Sequence, residues 1–120
     1  MSKTTLVLGA SSNPARYSNM AINRLRRNNH PVVAIGKRTG TVADTSVEIE
    51  PRKIDNLDTV TLYLNPTNQK QYYRYILELK PKRIIFNPGT ENNELADLAK
   101  QEGIQPVEAC TLVLLSTGQY

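Results

Sequence analysis

Three cations and one glycine-led loop carry most of the chemistry this sequence offers. The loop reads Gly9-Ala10-Ser11-Ser12-Asn13-Pro14-Ala15-Arg16-Tyr17-Ser18. Gly9 has no β-carbon and permits a tight turn. Ala10, Ser11 and Ser12 are small enough to let the backbone come close to a ligand. A helix that starts behind the loop would aim free N–H groups and a positive dipole end at an anion. Arg16 adds a planar guanidinium able to grip a phosphate through two hydrogen bonds. The same residue types also suit an ordinary strand-to-helix turn, since turns favour Gly, Ser and Asn. The second group is Gly36-Lys37-Arg38-Thr39-Gly40, which puts two adjacent cations on another turn. Its plain alternative is a solvated basic turn.

Candidates for bond-making chemistry are few. The single histidine, His30, precedes Pro31 where a helix should end. A histidine in such a turn is expected at the surface and at the amino-terminal edge of a sheet. Cys110 is the one credible nucleophile, and a cysteine of this kind more often packs than reacts. One His and one Cys cannot complete a zinc set without carboxylates. The pairs Glu48/Glu50 and Asp55/Asp58 read as solvated strand edge and turn. The sequence therefore assigns no catalytic residue and no metal ligand, and points to a protein that is not an enzyme.

These residues need elements to hold them. Thr4 to Leu8 is an apolar run ending at Gly9, as in a strand buried on both faces. Ser18 to Asn29 reads as a helix with Met20, Ala21 and Leu25 inward and Arg24, Arg26 and Arg27 outward. Val32 to Ile35 is a second buried strand. Thr45 to Glu50 alternates and suits a short edge strand before Pro51. Thr59 to Leu64 is a core strand ending at Asn65-Pro66, and Asn68 to Leu79 has helical spacing. Arg83 to Phe86 is another core strand, ending at Asn87-Pro88-Gly89. Thr90 is an expected N-cap for a helix with Glu91 and Glu94 in its first turn and Leu95, Leu98 and Ala99 on its buried stripe. Gly103 suits the position just past that helix. Pro106 to Ala109 is a last short strand, and Leu112 to Leu115 an apolar tail.

Strand and helix in alternation predict parallel strands joined by right-handed crossovers. The expected fold is a single Rossmann-like α/β domain over residues 1–120, a doubly wound, mostly parallel sheet of about five strands with helices on both faces. In such sheets ligands bind beyond the carboxyl ends of the strands, where strand order reverses. Four tips should then lie side by side. The candidate binding set is Gly9, Ala10, Ser11, Asn13, Arg16, Tyr17 and Ser18 from the first. Gly36, Lys37 and Arg38 come from the second, Asn65 and Pro66 from the third, Asn87 and Gly89 from the fourth.

The second tip narrows the ligand. A site for NAD wants an acid there to meet the ribose hydroxyls. Lys37 and Arg38 would instead attract a phosphate, so the ligand should carry one on its adenosine ribose, as coenzyme A and NADP do. The first loop disfavours NADP, because Ser11 and Pro14 occupy two glycine positions of Gly-x-Gly-x-x-Gly. An NADP-binding oxidoreductase-like domain, disfavoured by that loop and by the short chain, and an interaction protein that keeps the fold without a ligand are the remaining alternatives.

The chain has 120 residues, a net charge of +4, 39% hydrophobic and 22% charged residues, which suits one globular domain. No apolar run is long enough to span a membrane, and Met1 to Lys3 enter the first strand without an export signal. One cysteine cannot form an internal disulfide, which fits a cytoplasmic location. The basic residues are scattered, and only Tyr72-Tyr73-Arg74-Tyr75 mixes cations with aromatics, so nucleic acid is not the expected partner. A homodimer or another protein partner is compatible with the sequence.

The whole pattern resembles the small stand-alone CoA-binding proteins related to the nucleotide-binding domain of the succinyl-CoA synthetase alpha subunit. The resemblance runs from Lys3 to Leu115. It rests on Val7-Leu8-Gly9-Ala10-Ser11-Ser12-Asn13-Pro14 with Arg16 and Ser18, on Gly36 to Gly40, on Asn65-Pro66, and on Asn87-Pro88-Gly89-Thr90 with Glu94-Leu95-Ala96. It implies that the first loop and Arg16 contact the phosphates of coenzyme A or an acyl-CoA. Lys37 and Arg38 would then lie near the adenosine end, with Asn65-Pro66 in the same crevice. It implies binding without catalysis, as a sensor, carrier or regulatory module, because the synthetase's phosphorylated histidine belongs to a second domain. Two positions depart from the family. Gly36 stands where proline is usual, and Ala109 where an arginine often precedes the cysteine, which leaves Cys110 without a role.

Overall fold

Continuous apolar runs become the central strands because both faces of the sheet are covered. The computed structural model describes residues 2–120. The chain forms β1 (Thr5–Ala10), α1 (Tyr17–Arg27), β2 (Val32–Gly36), β3 (Gly40–Val42), β4 (Thr45–Glu48) and β5 (Thr59–Leu62). There follow α2 (Pro66–Gln69), a 3₁₀ turn (Lys70–Tyr72), α3 (Tyr73–Leu79), β6 (Arg83–Phe86), α4 (Asn93–Gln101), β7 (Gln105–Glu108) and α5 (Thr111–Ser116). One sheet holds all seven strands in the order β3-β4-β2-β1-β5-β6-β7. Every neighbouring pair is parallel except the β3–β4 hairpin.

Two cores cover the sheet. Leu6, Leu8, Val60, Leu62, Ile84 and Phe86 face Ile76 of α3 and Leu95 and Ala99 of α4. Val7, Ala10 and Ala34 face Ile22 and Leu25 of α1, with Leu115 of α5 against them. Successive strand residues point to opposite sides, so one strand feeds both cores. From β1 the chain first builds outward through β2 and later returns to β5 on the other flank. Strand order therefore reverses between β1 and β5, and the helices diverge there to leave a crevice.

Several sequence expectations need correction. The sheet has seven strands rather than about five. β3 was not expected because it is three residues long and buries only Val42, which is too short for a periodic signal. Its pairing makes β4 an inner strand and not an edge, and β4 ends at Glu48. Asp44 in the hairpin turn accepts both Arg26 Nε and Nη2 at 2.8 Å, tying this edge to α1. β7 forms the other edge, where Pro106 is tolerated. The expected helix from Asn68 begins at Pro66 and is broken by the 3₁₀ turn. The apolar tail is the helix α5. Met20 turns outward, 37% exposed, and Ile22 takes the inward place expected for it. Asn92, not Thr90, caps α4, because its side chain accepts the Leu95 N–H at 3.2 Å. Leu98 is only half-buried on that helix.

His30 is buried rather than at the surface. Its Nδ1 accepts the Lys3 backbone N–H at 2.9 Å, and its ring lies 4.9 Å from that of Tyr120. Burial comes first, and the nearby Lys3 and Arg83 cations next, in holding its pKa below the usual 6.5. As expected, it belongs to the amino-terminal edge of the sheet, where it joins the turn after α1 to the start of the chain.

Candidate functional site

A cleft of about 750 Å³ opens across the carboxyl ends of β2, β1, β5 and β6. Those four strands are neighbours in the sheet, so their tips span three gaps of about 4.8 Å, roughly 14 Å in all.

β1 ends in a distortion. Leu8 pairs with Ile35, yet Ala10 pairs with Gly36, so Gly9 is an extra residue in the ladder. Its φ is +87°, and a β-carbon would stand 2.7 Å from the Tyr63 carbonyl oxygen. Gly9 is thus required by the segment just after β5 as well as by the turn. The following loop is braced from within. Ser11 Oγ accepts the Asn13 N–H at 3.1 Å, and Asn13 Oδ1 accepts the Ala15 N–H at 3.0 Å. The Asn13 carbonyl accepts the Arg16 N–H at 3.0 Å. Asn19, buried in the first turn of α1, donates through Nδ2 to the Ser11 carbonyl at 3.1 Å. Sequence reasoning missed Asn19, because an amide early in a helix carries no sequence mark of facing inward.

α1 begins without a capping side chain and without an acid in its first turn. Its positive end is therefore not already compensated by a carboxylate. Arg16 occupies the N-cap position with extended backbone and an exposed side chain. Across the cleft mouth Lys37 and Arg38 are exposed on the turn after β2. The two tips interlock: a β-carbon on Gly40 would lie 2.8 Å from Ser12 Cβ. Among the described residues Arg16, Lys37 and Arg38 enter no ion pair, and no carboxylate lines the cleft.

The opposite half is neutral. Leu64, Asn65, Asn68, Gln71 and Tyr72 form one wall, and Pro88, Gly89 and Thr90 the other. Asn65 caps α2, accepting the Asn68 N–H at 2.9 Å. Gly89 has φ +89° and donates its N–H to Glu91 Oε1 at 2.9 Å. Tyr63 also lines the cleft, and among the described residues its buried hydroxyl makes no well-formed hydrogen bond, although Thr61 and Thr111 lie beside it. The neighbouring Thr61 and Thr111 hydroxyls bond to each other at 2.8 Å. Burial pushes the Tyr63 phenol up to about 12.

The cleft thus brings together Gly9, Ala10, Ser11, Asn13, Arg16, Tyr17, Ser18, Gly36, Lys37, Arg38, Asn65 and Gly89. Pro66 and Asn87 of the expected set are not among the residues that line it. Pro66 is the first residue of α2, where its fixed φ suits the helix start. Asn87 is buried beneath the floor. Its Nδ2 donates to Thr61 Oγ1 at 2.7 Å and to the Leu62 carbonyl at 2.8 Å, and its Oδ1 accepts the Thr111 N–H at 2.9 Å. It ties β5, β6 and α5 together. Asn68 of α2 and Gln71 and Tyr72 of the 3₁₀ turn were not expected at the site, because the break between the two helical segments has no clear sequence signal. Cys110 is half-buried at the N-cap of α5 and is not among the lining residues.

The site's chemistry is asymmetric: a cationic half beside a helix start, and a neutral, amide-bearing half. It can hold an elongated molecule with phosphates at one end and a polar, uncharged arm at the other.

The sequence pattern of a family described as "CoA binding domain" matches residues 3–116. No curated protein matches the chain. The crystal structure of an uncharacterized protein, 48% identical, covers 100% of this chain and 99% of that one with a TM-score of 0.97. A protein described as cell-free ID.343 from Thermus thermophilus is 18% identical, with a TM-score of 0.84 over 99% of this chain and 91% of that one. A hypothetical protein from Pyrococcus horikoshii OT3 is 20% identical, with a TM-score of 0.86 over 97% of this chain and 83% of that one. At their low identity the last two are likenesses of fold.

Proposed function

Because this chain belongs to the CoA binding domain family, we propose that its cleft holds coenzyme A or an acyl-CoA. The observation that carries this reading is the gathering of Arg16, Lys37 and Arg38 in a cleft that no carboxylate among the described residues lines. Cations without acidic neighbours concentrate an anionic ligand and strengthen its capture. Coenzyme A would bring a thiol that carries acyl groups as thioesters; the chain's own residues bind and orient it. The loop from Gly9 to Asn13, Arg16 and the α1 start around Tyr17 and Ser18 receive phosphate. Gly36, Lys37 and Arg38 receive the phosphate on the adenosine ribose, and Asn65 and Gly89 flank the arm.

We propose further that the chain binds without catalysing a reaction, as a sensor, carrier or regulatory module in the cytoplasm. Two placements support this. His30 is occupied as an acceptor at the far edge of the sheet, and Cys110 stands outside the cleft lining.

Thermal melting with CoA, dephospho-CoA and NADPH tests the reading, because a ligand bound only by the native state raises its melting temperature. CoA should give the largest rise. Equal rises with CoA and dephospho-CoA would remove the role given to Lys37 and Arg38, and no rise with CoA would reject the site.

A further inference from the structure

The neutral half of the cleft is fastened by a buried amide that does not line it. Gln69, at the end of α2, is fully buried. Its Nε2 donates to the carbonyl oxygens of Leu64 and Thr90, each at 2.8 Å. Leu64 and Thr90 belong to the loops after β5 and β6, and both line the cleft. The ladder between those strands ends at the Leu62–Phe86 pair. Beyond it no strand pairing holds the two loops together, and Gln69 supplies the cross-link in place of the ladder.

A chain of hydrogen bonds backs this cross-link. Gln69 Oε1 accepts from Asn92 Nδ2 at 2.8 Å, and that same amide donates to the Tyr73 hydroxyl at 2.8 Å. The Tyr73 hydroxyl donates to Glu94 Oε1 at 3.0 Å. Asn92 keeps its own oxygen for the Leu95 N–H. Since two carbonyls must accept from Gln69, its amide can point only one way, and every proton along the chain has one direction. A buried amide costs stability unless it is satisfied. This one is satisfied at both ends, so the network is rigid and has a single arrangement.

Resting on the reading of the cleft as a coenzyme A site, we propose that Gln69 is a positioning residue for its neutral half. It sets the distance between the Leu64 and Thr90 loops, and so the width available to the pantetheine arm. The cations Arg16, Lys37 and Arg38 lie on the β1 and β2 tips, and no hydrogen bond joins them to this network. Loss of Gln69 should therefore weigh far less on the nucleotide end than on the arm.

Two ligands separate the halves: coenzyme A, and adenosine 3′,5′-bisphosphate, which has a nucleotide end and no pantetheine arm. Calorimetric titrations would compare the wild-type chain with Gln69→Met, whose side chain is of similar length and apolar. The variant should bind the bisphosphate within about twofold of wild type and coenzyme A about tenfold more weakly, the factor for one ordinary hydrogen bond's worth of alignment. Asn92→Asp keeps the cap oxygen of α4 but loses the donor to Gln69 and Tyr73. It should shift affinity in the same direction by a smaller factor, and it carries the test if Gln69→Met does not fold. Equal weakening of both ligands would mean a general structural role and would overturn the proposal, as would unchanged coenzyme A affinity in folded variants. A wild-type chain that binds neither ligand would instead sink the coenzyme A reading itself.

Discussion

The α-carbon of Gly36 lies so close to the carbonyl oxygen of Ala10 that a β-carbon on it would stand 2.1 Å away. The extra residue at Gly9 pushes the Ala10 carbonyl toward β2, and Gly36 is the only residue type that leaves it room. The basic turn and the glycine-led loop therefore meet through backbone, and neither can move alone. Gly36→Ala should destabilise the fold by about 1–3 kcal/mol, the usual cost of overpacking, and should also weaken coenzyme A. Denaturant unfolding with a parallel titration would show it; a variant of wild-type stability would contradict the packing.

The cations should act on the ligand and leave the fold alone. Arg16→Ala and Lys37→Ala remove exposed side chains that enter no ion pair. Each should lower coenzyme A affinity about tenfold or more, the scale of one charge-assisted hydrogen bond. Melting temperatures without ligand should stay near that of wild type. Raising the salt concentration should shrink both effects, since these charges are exposed. Unchanged affinity in both variants would place the phosphates elsewhere.

Tyr63 offers a gain instead of a loss. Its hydroxyl is buried and makes no well-formed hydrogen bond among the described residues, so the neighbouring Thr111 and Thr61 hydroxyls offset its desolvation only in part. Tyr63→Phe should raise stability by about 1 kcal/mol. A fall of that size in a chemical denaturation series would show that the hydroxyl does find a bond.

His30 should make the fold sensitive to mild acid. Its pKa in the native state lies below the 6.5 of an ordinary histidine, chiefly through burial. Below pH 6.5 the unfolded chain takes up a proton that the folded chain resists, so it binds more protons and gains stability relative to the native state. The contribution is complete above pH 6.5 and is lost as pH falls through the native pKa. His30→Asn retains an acceptor for the Lys3 N–H and cannot titrate. Unfolding midpoints between pH 8 and 5 should fall for the wild-type chain and stay flatter for the variant. Parallel curves would remove His30 as the source.

The sequence alone determined the alternation of the main strands and helices and, to within about two residues, the places where the core strands end. Buried parallel strands must be apolar on both faces, and sharp reversals need Gly, Asn or Pro, so both leave local marks. Arg16, Lys37 and Arg38 could be assigned to the carboxyl edge on that basis, because an exposed cation needs only a turn to carry it. Which polar residues face inward was decided by tertiary structure. His30, Gln69 and Asn87 are buried because distant segments supply their partners at Lys3, Thr90 and Thr111. The isolated sequence gives such an amide or imidazole no mark that separates it from a solvated one. The same holds for β3, whose three residues become a strand only when β4 lies beside them. Hydrophobic burial writes itself into local periodicity, whereas the satisfaction of a buried polar group depends on what the rest of the chain brings to meet it.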